Sequence, residues 1–281
     1  MWKAELFIDA KMYSLLRGLG LEQAKRQEDD NATMGSHVNL VISQNGLQLS
    51  ATNSIRSASV HLLLPRAAFH SFEFIPPPNT PQEIEEACVS LLAFLEMTAE
   101  AGKAGIRCRF ELNTRINNFL WLEWRGVQDG VLVSCKLNLF EGSHILQAAM
   151  SGSDGLKLIL TADQFKSIFG DFRMSDQACL QVCENLVKVK MVGASGTEFT
   201  ATHVPSSHHQ PWTVLACGDQ VYEAVYKASI FCVIGWSALV ADKISISIDK
   251  MSNACLVNVL CPLASATEPA IMHYTVLPMA E

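Results

Sequence analysis

Short runs of alternating apolar and polar residues dominate the chain. A period of two is typical of strands that bury one face. The runs predict strands over residues 3–9, 38–43, 46–52, 57–64, 106–113, 119–125, 131–139, 145–150, 157–160, 178–183, 187–192, 198–203, 212–217, 244–249, 255–261 and 270–277. Two connections, Gln44-Asn45-Gly46 and Gln128-Asp129-Gly130, favour hairpin turns. We therefore expect a protein built mainly from antiparallel sheets.

Four segments have the apolar spacing of a helix. They cover residues 10–20, 82–99, 162–170 and 226–241. Many strands with few helices favour an α+β fold over a doubly wound one.

The beginning of the chain is echoed near its middle. AELFIDAKMYSLLRG aligns with LKLILTADQFKSIFG, so that Leu6 meets Leu158 and Gly18 meets Gly170. The later helices also correspond, VSLLAFLEMTAEAGK with KASIFCVIGWSALVA, and a strand follows each. The pattern favours a tandem duplication of a unit of about 140 residues.

Composition narrows the functional classes. The 281 residues are 49% hydrophobic, carry a net charge of −7 and contain nine cysteines. The cysteines have no CxxC spacing, which favours a reducing compartment. No apolar run reaches the length of about 18 residues that a membrane helix needs, and the charged N-terminus is unlike a signal peptide. Because the net charge of the chain is negative, any contact with DNA must use a local basic patch.

Several stretches resemble a known family. QNGLQLSATNSIRSASVHLLL, DGVLVSCKLNL, TADQFKSIFGDFRMSDQACLQV and ISIDKMSNACLVNVL are similar to sequences of PCNA-like sliding DNA clamps, and within them of the Rad-one family of the checkpoint clamp. The pair Phe69 and Phe72 after a returning strand points the same way. The resemblance covers most of the chain, through diffuse patterns.

The resemblance implies a DNA-clamp fold of two similar domains, at residues 1–140 and 148–281, with a connector at 141–147. Each domain has antiparallel sheets and two helices, and the chain forms part of a three-subunit ring around duplex DNA. The implied partners are a Rad-nine-like and a Hus-one-like subunit, a clamp loader, and repair and signalling proteins. It further implies a nuclear, non-catalytic subunit without a cofactor or a membrane partner. A homotrimeric replication clamp is the alternative within the superfamily.

Basic residues near the helices are candidates to face DNA phosphates, because sliding needs contacts that do not read bases. They are Lys11, Arg17, Lys103, Lys166, Arg173, Lys227 and Lys243. Ordinary solvated side chains remain the alternative for each. The segment 82–99 opposes such contacts, since it carries glutamates and no Lys or Arg. We therefore expect weak DNA binding by the chain alone.

The family resemblance implies two further surfaces. One is a pocket for partner peptides, with candidates Thr52, Arg56, Leu139, Ile145, Leu146, Leu277 and Pro278. Arg56 makes this pocket narrower or more polar. The other is a pair of open strand edges that close the ring, with candidates Ile106, Cys108 and Phe110 in one half and Cys179, Gln181 and Cys183 in the other. Ordinary sheet packing and edges capped by loops are the alternatives.

Catalytic and metal chemistry has little support in the sequence. No GxSxG, HExxH, P-loop or GxGxxG motif is present, and no close carboxylate pair suggests a two-metal nuclease. His203, His208, His209 and Cys217 lack a firm zinc-ligand spacing. We expect no metal site, and a metal-dependent nuclease is the remaining enzyme hypothesis.

Overall fold

The computed structural model describes residues 1–21, 37–76, 84–126, 130–141, 156–170, 177–183, 186–192, 198–203, 213–214, 222–249, 251–263 and 266–279. No helix in these ranges is both long and apolar enough to cross a membrane. The first half contains β1 (Trp2–Ile8), α1 (Ala10–Arg17), β2 (His37–Ser43), β3 (Gly46–Thr52), β4 (Ala58–Pro65), β5 (Ser71–Phe74), β6 (Glu85–Ser90), α2 (Leu91–Ala104), β7 (Ile106–Leu112), β8 (Phe119–Arg125) and β9 (Leu132–Asn138).

The second half repeats this order of elements. It contains β10 (Leu156–Leu160), α3 (Ala162–Phe169), β11 (Gln177–Cys183), β12 (Leu186–Val192), β13 (Glu198–His203), β14 (Thr213–Val214), β15 (Tyr222–Lys227), α4 (Ala228–Ala238), β16 (Lys243–Ile248), β17 (Cys255–Cys261) and β18 (Ala270–Val276). Each described half therefore has nine strands and two helices, in matching positions along the chain. The predicted α+β clamp fold is confirmed.

The strand order repeats as well. One sheet has the order β5-β1-β7-β8-β9, and the matching strands β14-β10-β16-β17-β18 form one side of a nine-stranded sheet. The other side of that sheet is β4-β3-β2-β6, which matches the separate sheet β13-β12-β11-β15. Pairing of β18 with β4 joins the two halves. The same topological unit thus occurs twice, and one strand pair fuses the copies.

Helices α1 and α3 begin where a local side chain accepts a free backbone N–H. The carboxylate of Asp9 accepts the backbone N–H of Met12 at 2.8 Å, ahead of α1. Thr161 and Gln164 form a reciprocal capping box at the start of α3, with hydrogen bonds of 2.8 and 3.3 Å. The strand-to-helix turns are therefore explained by capping, and they need no phosphate to complete them.

The four helices form one layer over the sheets. α1 contacts both α2 and α4, and α4 contacts α3, which gives the order α2-α1-α4-α3. At the central contact, the Tyr274 hydroxyl donates to the Gly18 carbonyl at 3.1 Å and lies 2.9 Å from the Ser237 hydroxyl. This buried network ties α1 and α4 to β18, so the helical layer is continuous across the two halves.

Sequence patterns missed three strands and displaced one helix. β5, β6 and β15 were not predicted, and the segment predicted as a helix over 82–99 begins with β6. Here α2 covers Leu91–Ala104, and the Ser90 hydroxyl accepts the Ala93 N–H at its start. The short run EEACVS fits either element by pattern, and pairing with β2 decides it. The predicted strand at 145–150 lies outside the described residues.

Candidate subunit-contact and DNA-facing surfaces

The candidate cations on α1 and α3 face solvent. Lys11 and Arg17 are exposed on α1, and Lys166 is exposed on α3. The guanidinium of Arg17 lies over the ring of Trp236 on α4, 3.6 Å from its centroid. Stacking of this kind leaves the planar N–H groups able to donate at the ring edge. Arg17 is thus held in place beside α4 with its charge still available.

The other predicted cations are less suited to a shared surface. Lys103 ends α2 in an ion pair with Glu100 at 2.7 Å, and this contact raises its pKa. Lys227 precedes α4 and is partly covered, while Lys243 is exposed at the start of β16. Arg173 lies outside the described residues. Whether any of these side chains contacts DNA stays a prediction.

The helices carry little net charge. The described spans of α1 to α4 contain four basic side chains, Lys11, Arg17, Lys103 and Lys166, and three acidic ones, Glu96, Glu100 and Asp163, a net charge of +1. α4 contributes no charged residue between Ala228 and Ala238. A phosphate-lined partner would gain only weak attraction from this layer.

The acidic segment needs a correction. Glu85 and Glu86 lie in β6 and not on a helix. The Glu85 side chain is buried and accepts hydrogen bonds from the Thr114 backbone N–H at 2.9 Å and its hydroxyl at 3.0 Å. It therefore has a structural role away from the helical layer. The acidic character of α2 comes from Glu96 and Glu100, which are exposed.

The predicted peptide pocket is assembled in part. Thr52 ends β3, Arg56 lies in the following turn, and Leu277 and Pro278 follow β18, with the Leu277 N–H bonded to the Ser57 carbonyl at 2.8 Å. These four residues therefore share one end of adjacent strands. Arg56 has a φ of 55°, a strained value for a residue with a side chain.

Leu139 follows β9, and its backbone N–H donates to the Asn118 carbonyl at 3.1 Å. The backbone N–H of the next residue, Phe140, donates to the Cys88 carbonyl at 2.8 Å. The Phe140 ring packs edge-on against the His37 ring on β2, with 4.7 Å between the ring centroids. Ile145 and Leu146 lie outside the described residues. Sequence reasoning missed His37 and Phe140, because their contact joins distant parts of the chain. The binding role of the pocket stays a prediction.

The predicted ring-closing edges are wrong. Ile106, Cys108 and Phe110 belong to β7, which pairs with β1 on one side and β8 on the other. Cys179, Gln181 and Cys183 belong to β11, which lies between β12 and β15. Both strands have neighbours on each side, so neither offers free backbone groups to another subunit.

The duplicated topology identifies different edges. The internal join pairs β18 with β4, and the matching strands β9 and β13 stand at the ends of their sheets. Both carry exposed apolar side chains. Val133 on β9 is 36% exposed, its neighbours Val131 and Leu132 are also exposed, and Phe199 on β13 is 53% exposed. The run Val131-Leu132-Val133 breaks the apolar-polar alternation, a sequence signal for a strand covered on both faces.

Comparison with protein families agrees with this topology. Residues 30–252, most of the chain, match the family described as repair protein Rad1/Rec1/Rad17. The chain belongs to this family. Members are subunits of a PCNA-like clamp, so the family match and the sheet-rich fold both support the resemblance seen in the sequence. No curated protein matches the chain.

The family match and the geometry complement each other. The match places the chain among checkpoint and repair clamps, and the topology leaves β9 and β13 at the ends of their sheets among the described strands. In the described part of the chain, no group of three or more His, Cys, Asp or Glu residues is arranged to hold a metal ion.

Proposed function

We propose that this chain is the Rad1-type subunit of a heterotrimeric checkpoint clamp, which encircles duplex DNA in the nucleus and recruits damage-signalling and repair proteins without catalysis of its own. The observation that carries the proposal is that, in the part of the chain that the structure describes, β9 and β13 each pair on one side only and carry exposed apolar side chains. They occupy the positions that β18 and β4 occupy in the join between the halves. The neighbours in the ring are a Rad-nine-like and a Hus-one-like subunit.

The internal join predicts which residues face a neighbour. The backbone ladders run through matching residues, Leu6, Cys108, Trp124 and Val133 in one half and Leu158, Ile246, Val257 and Tyr274 in the other. Val133 therefore takes the place of Tyr274. Tyr274 pairs with Val60 across the join, so Val133 is expected to face the residue of the next subunit that corresponds to Val60.

The second edge follows from the same reasoning. Ladders through the other pair of sheets run along Ala87, Leu40, Leu49 and Leu62 and along Ala224, Leu180, Val189 and Ala201. The first ladder ends at Leu62 and the second at Ala201. Val60 and Phe199 lie two residues before these ends and so occupy matching positions. Phe199 is thus placed to receive the neighbour's counterpart of Val133. Burying these side chains supplies the apolar core that a stable interface requires.

The weak charge of the helices favours a mixed ring. A net charge of +1 on the described helices gives one subunit little attraction for DNA, and more basic neighbours would supply the remainder. Partner proteins would dock at the strand end formed by Thr52, Arg56, Leu277 and Pro278. Arg56 makes that surface more polar than an aliphatic residue would.

Charged substitutions at the two edges test the proposal. Val133→Asp is expected to abolish binding of one neighbouring subunit and Phe199→Asp binding of the other, because each buries a carboxylate in an apolar contact. Pairwise binding to each purified subunit, measured by calorimetry, separates the two losses. Phe7→Asp is the matched control, since Phe7 is 47% exposed but lies on the inner strand β1. Unchanged binding by both edge variants would contradict the proposed ring.

A further inference from the structure

Two histidines face each other where the halves of the chain are joined. His61 on β4 and His273 on β18 are directly paired in the antiparallel register. Tyr274, next to His273, points into the helical layer, and successive side chains of a strand alternate between faces. Both imidazoles therefore lie on the face of the sheet away from the helices. Directly paired residues have Cβ atoms about 4.5–5.5 Å apart, so the two rings are close enough to share one ligand.

Hydrogen bonds turn the two rings toward each other. The Nδ1 of His61 lies 2.9 Å from the hydroxyl of Ser50 on β3, the strand on the far side of β4 from β18. The Nδ1 of His273 bonds the side-chain carbonyl of Asn258 on β17, the strand on the far side of β18 from β4. In an imidazole, Nδ1 and Nε2 lie on opposite sides of the line that continues the Cβ–Cγ bond. Because each Nδ1 faces outward, the two Nε2 atoms converge above the junction of β4 and β18.

The tautomer of His273 leaves its Nε2 with a lone pair. The amide nitrogen of Asn258 donates to the Ser245 hydroxyl at 3.3 Å, so the amide oxygen is the atom that meets His273. An oxygen acceptor requires Nδ1 to be the donor, and Nε2 is then the acceptor. His273 is thus held in the form of a neutral histidine that binds a metal ion.

The surroundings of His61 accommodate the same tautomer. The Ser50 hydroxyl can accept as well as donate, so it can accept an Nδ1–H from His61. The Gln48 amide, 3.2 Å from the same nitrogen, accepts it too once its oxygen and nitrogen exchange places. In the described part of the chain, neither Nε2 bonds a protein group, and neither is among the buried polar atoms without a partner. Both nitrogens are therefore open to a ligand from solvent.

The residues beside the pair do not oppose a cation. On the same face they are Ser59 and Leu63 on β4 and Ile271 and Thr275 on β18, and none of them is charged. Imidazole nitrogen is a preferred ligand of Zn²⁺. An acceptor on the other ring nitrogen orients the imidazole and makes it a better ligand, as Asn258 does here.

We propose that His61 and His273 bind one Zn²⁺ ion through their Nε2 atoms, while Ser50 and Asn258 orient the rings. Water completes the coordination of the ion, which joins β4 to β18 and so fastens one half of the chain to the other. The two ligands are far apart in the sequence, which is why ligand spacing along the chain did not reveal them. The site needs neither a ring nor DNA, so it stands or falls independently of the proposed function.

Isothermal titration calorimetry of the full chain tests the proposal, with metal first removed by EDTA and ZnCl₂ then added near neutral pH. The wild type is expected to bind one Zn²⁺ ion whose affinity falls at least about tenfold in His61→Gln and in His273→Gln, because losing a ligand costs no less than losing its orienting partner. The same ion should raise the Tm of the wild type more than that of either variant.

A change at Asn258 tests the orientation of His273 and leaves both imidazoles in place. Asn258→Ala removes the acceptor of the His273 Nδ1–H and is expected to weaken Zn²⁺ binding about 10–100-fold. Asn258→Asp keeps an acceptor there and should retain the binding. These two variants keep the test decisive if a histidine variant does not fold.

Copper identifies the ligands directly. Electron paramagnetic resonance of the chain with one equivalent of Cu²⁺ should show coupling to two imidazole nitrogens, and to one in either histidine variant. His70→Gln removes an exposed histidine elsewhere and should bind both metals as the wild type does. A wild type that binds no Zn²⁺, or Zn²⁺ binding that neither histidine variant weakens, would overturn the proposal.

Discussion

Gly18 closes α1 against the hydroxyl of Tyr274, and this contact fixes the centre of the helical layer. A Cβ at position 18 would overlap the Tyr274 hydroxyl and approach the Met272 side chain to 2.9 Å. The contact is needed because Tyr274 also reaches Ser237 on α4. Glycine is required here by close approach and not by its backbone angles, which are helical.

Gly18→Ala should therefore destabilise the chain by about 1–3 kcal/mol, the range for a core overlap that also disturbs a buried hydrogen bond. Urea unfolding followed by circular dichroism measures the change. Gly235→Ala is the control, because its added Cβ would meet nothing within 4 Å and alanine favours the helix by about 0.5–1 kcal/mol. A Gly18→Ala chain as stable as the wild type would show that the packing of Gly18 against Tyr274 is looser than described.

Local residue choices could be predicted from sequence, whereas contacts between distant residues could not. Asp9 and Thr161 stand before apolar helical runs, and both cap the helices that follow. The stacking of Arg17 on Trp236 left no such trace, because the two residues belong to different halves. Arg17 was correctly placed on a helix, but its stacking partner depends on how α1 and α4 meet.

The strand pair β4 and β18 is the element that unites the halves, and two histidines face each other across it. His61 pairs with His273, and the His61 ring lies 2.9 Å from the Ser50 hydroxyl. Burial lowers the pKa of His61, and the facing His273 lowers it further. Burial also lowers the pKa of His273. Both rings are therefore held in the neutral form, and protonation opposes this pairing.

The pairing of β4 with β18 should lose stability in mild acid. The unfolded chain binds protons at these histidines below about pH 6.5, while the folded chain resists protonation until lower pH. The stabilisation present at pH 7 is thus lost as the pH falls from about 6.5 toward the folded pKa values. Urea unfolding at several pH values measures this effect. As the pH falls, the double variant His61→Gln/His273→Gln should lose less free energy of unfolding than the wild type does. His70→Gln, an exposed control, should keep the wild-type dependence, and identical curves for all three chains would refute the explanation.

At the scale of elements, periodicity predicted most strands but not their neighbours. Gly46–Thr52, Phe119–Arg125, Glu198–His203 and Cys255–Cys261 begin and end where the alternation predicts. The order of strands in a sheet depends on pairing between distant segments, which alternation does not encode. For that reason β7 and β11 were mistaken for edges. The internal repeat held the missing information, since the join of β18 with β4 points to β9 and β13.

For the whole molecule, the proposed contact of the helical layer with duplex DNA makes the charge of that layer the expected determinant of affinity. With a net charge of +1 on the described helices and −7 on the chain, the isolated chain should bind duplex no more tightly than about 10⁻⁵ M at physiological salt. Titration of a labelled duplex measures this constant. Glu96→Lys/Glu100→Lys on α2 should tighten binding, and the same change at Glu73 and Glu123, away from the helices, should have less effect. A submicromolar constant for the wild-type monomer would contradict this account.

The central claim is that the chain is one of three different subunits of a closed ring, and its state of assembly tests it most directly. Size-exclusion chromatography with light scattering should give the mass of a monomer for the chain alone. With equimolar Rad-nine-like and Hus-one-like subunits, it should give a single species that contains one copy of each. A stable homotrimer formed by the chain alone, or no complex in the mixture, would contradict the account.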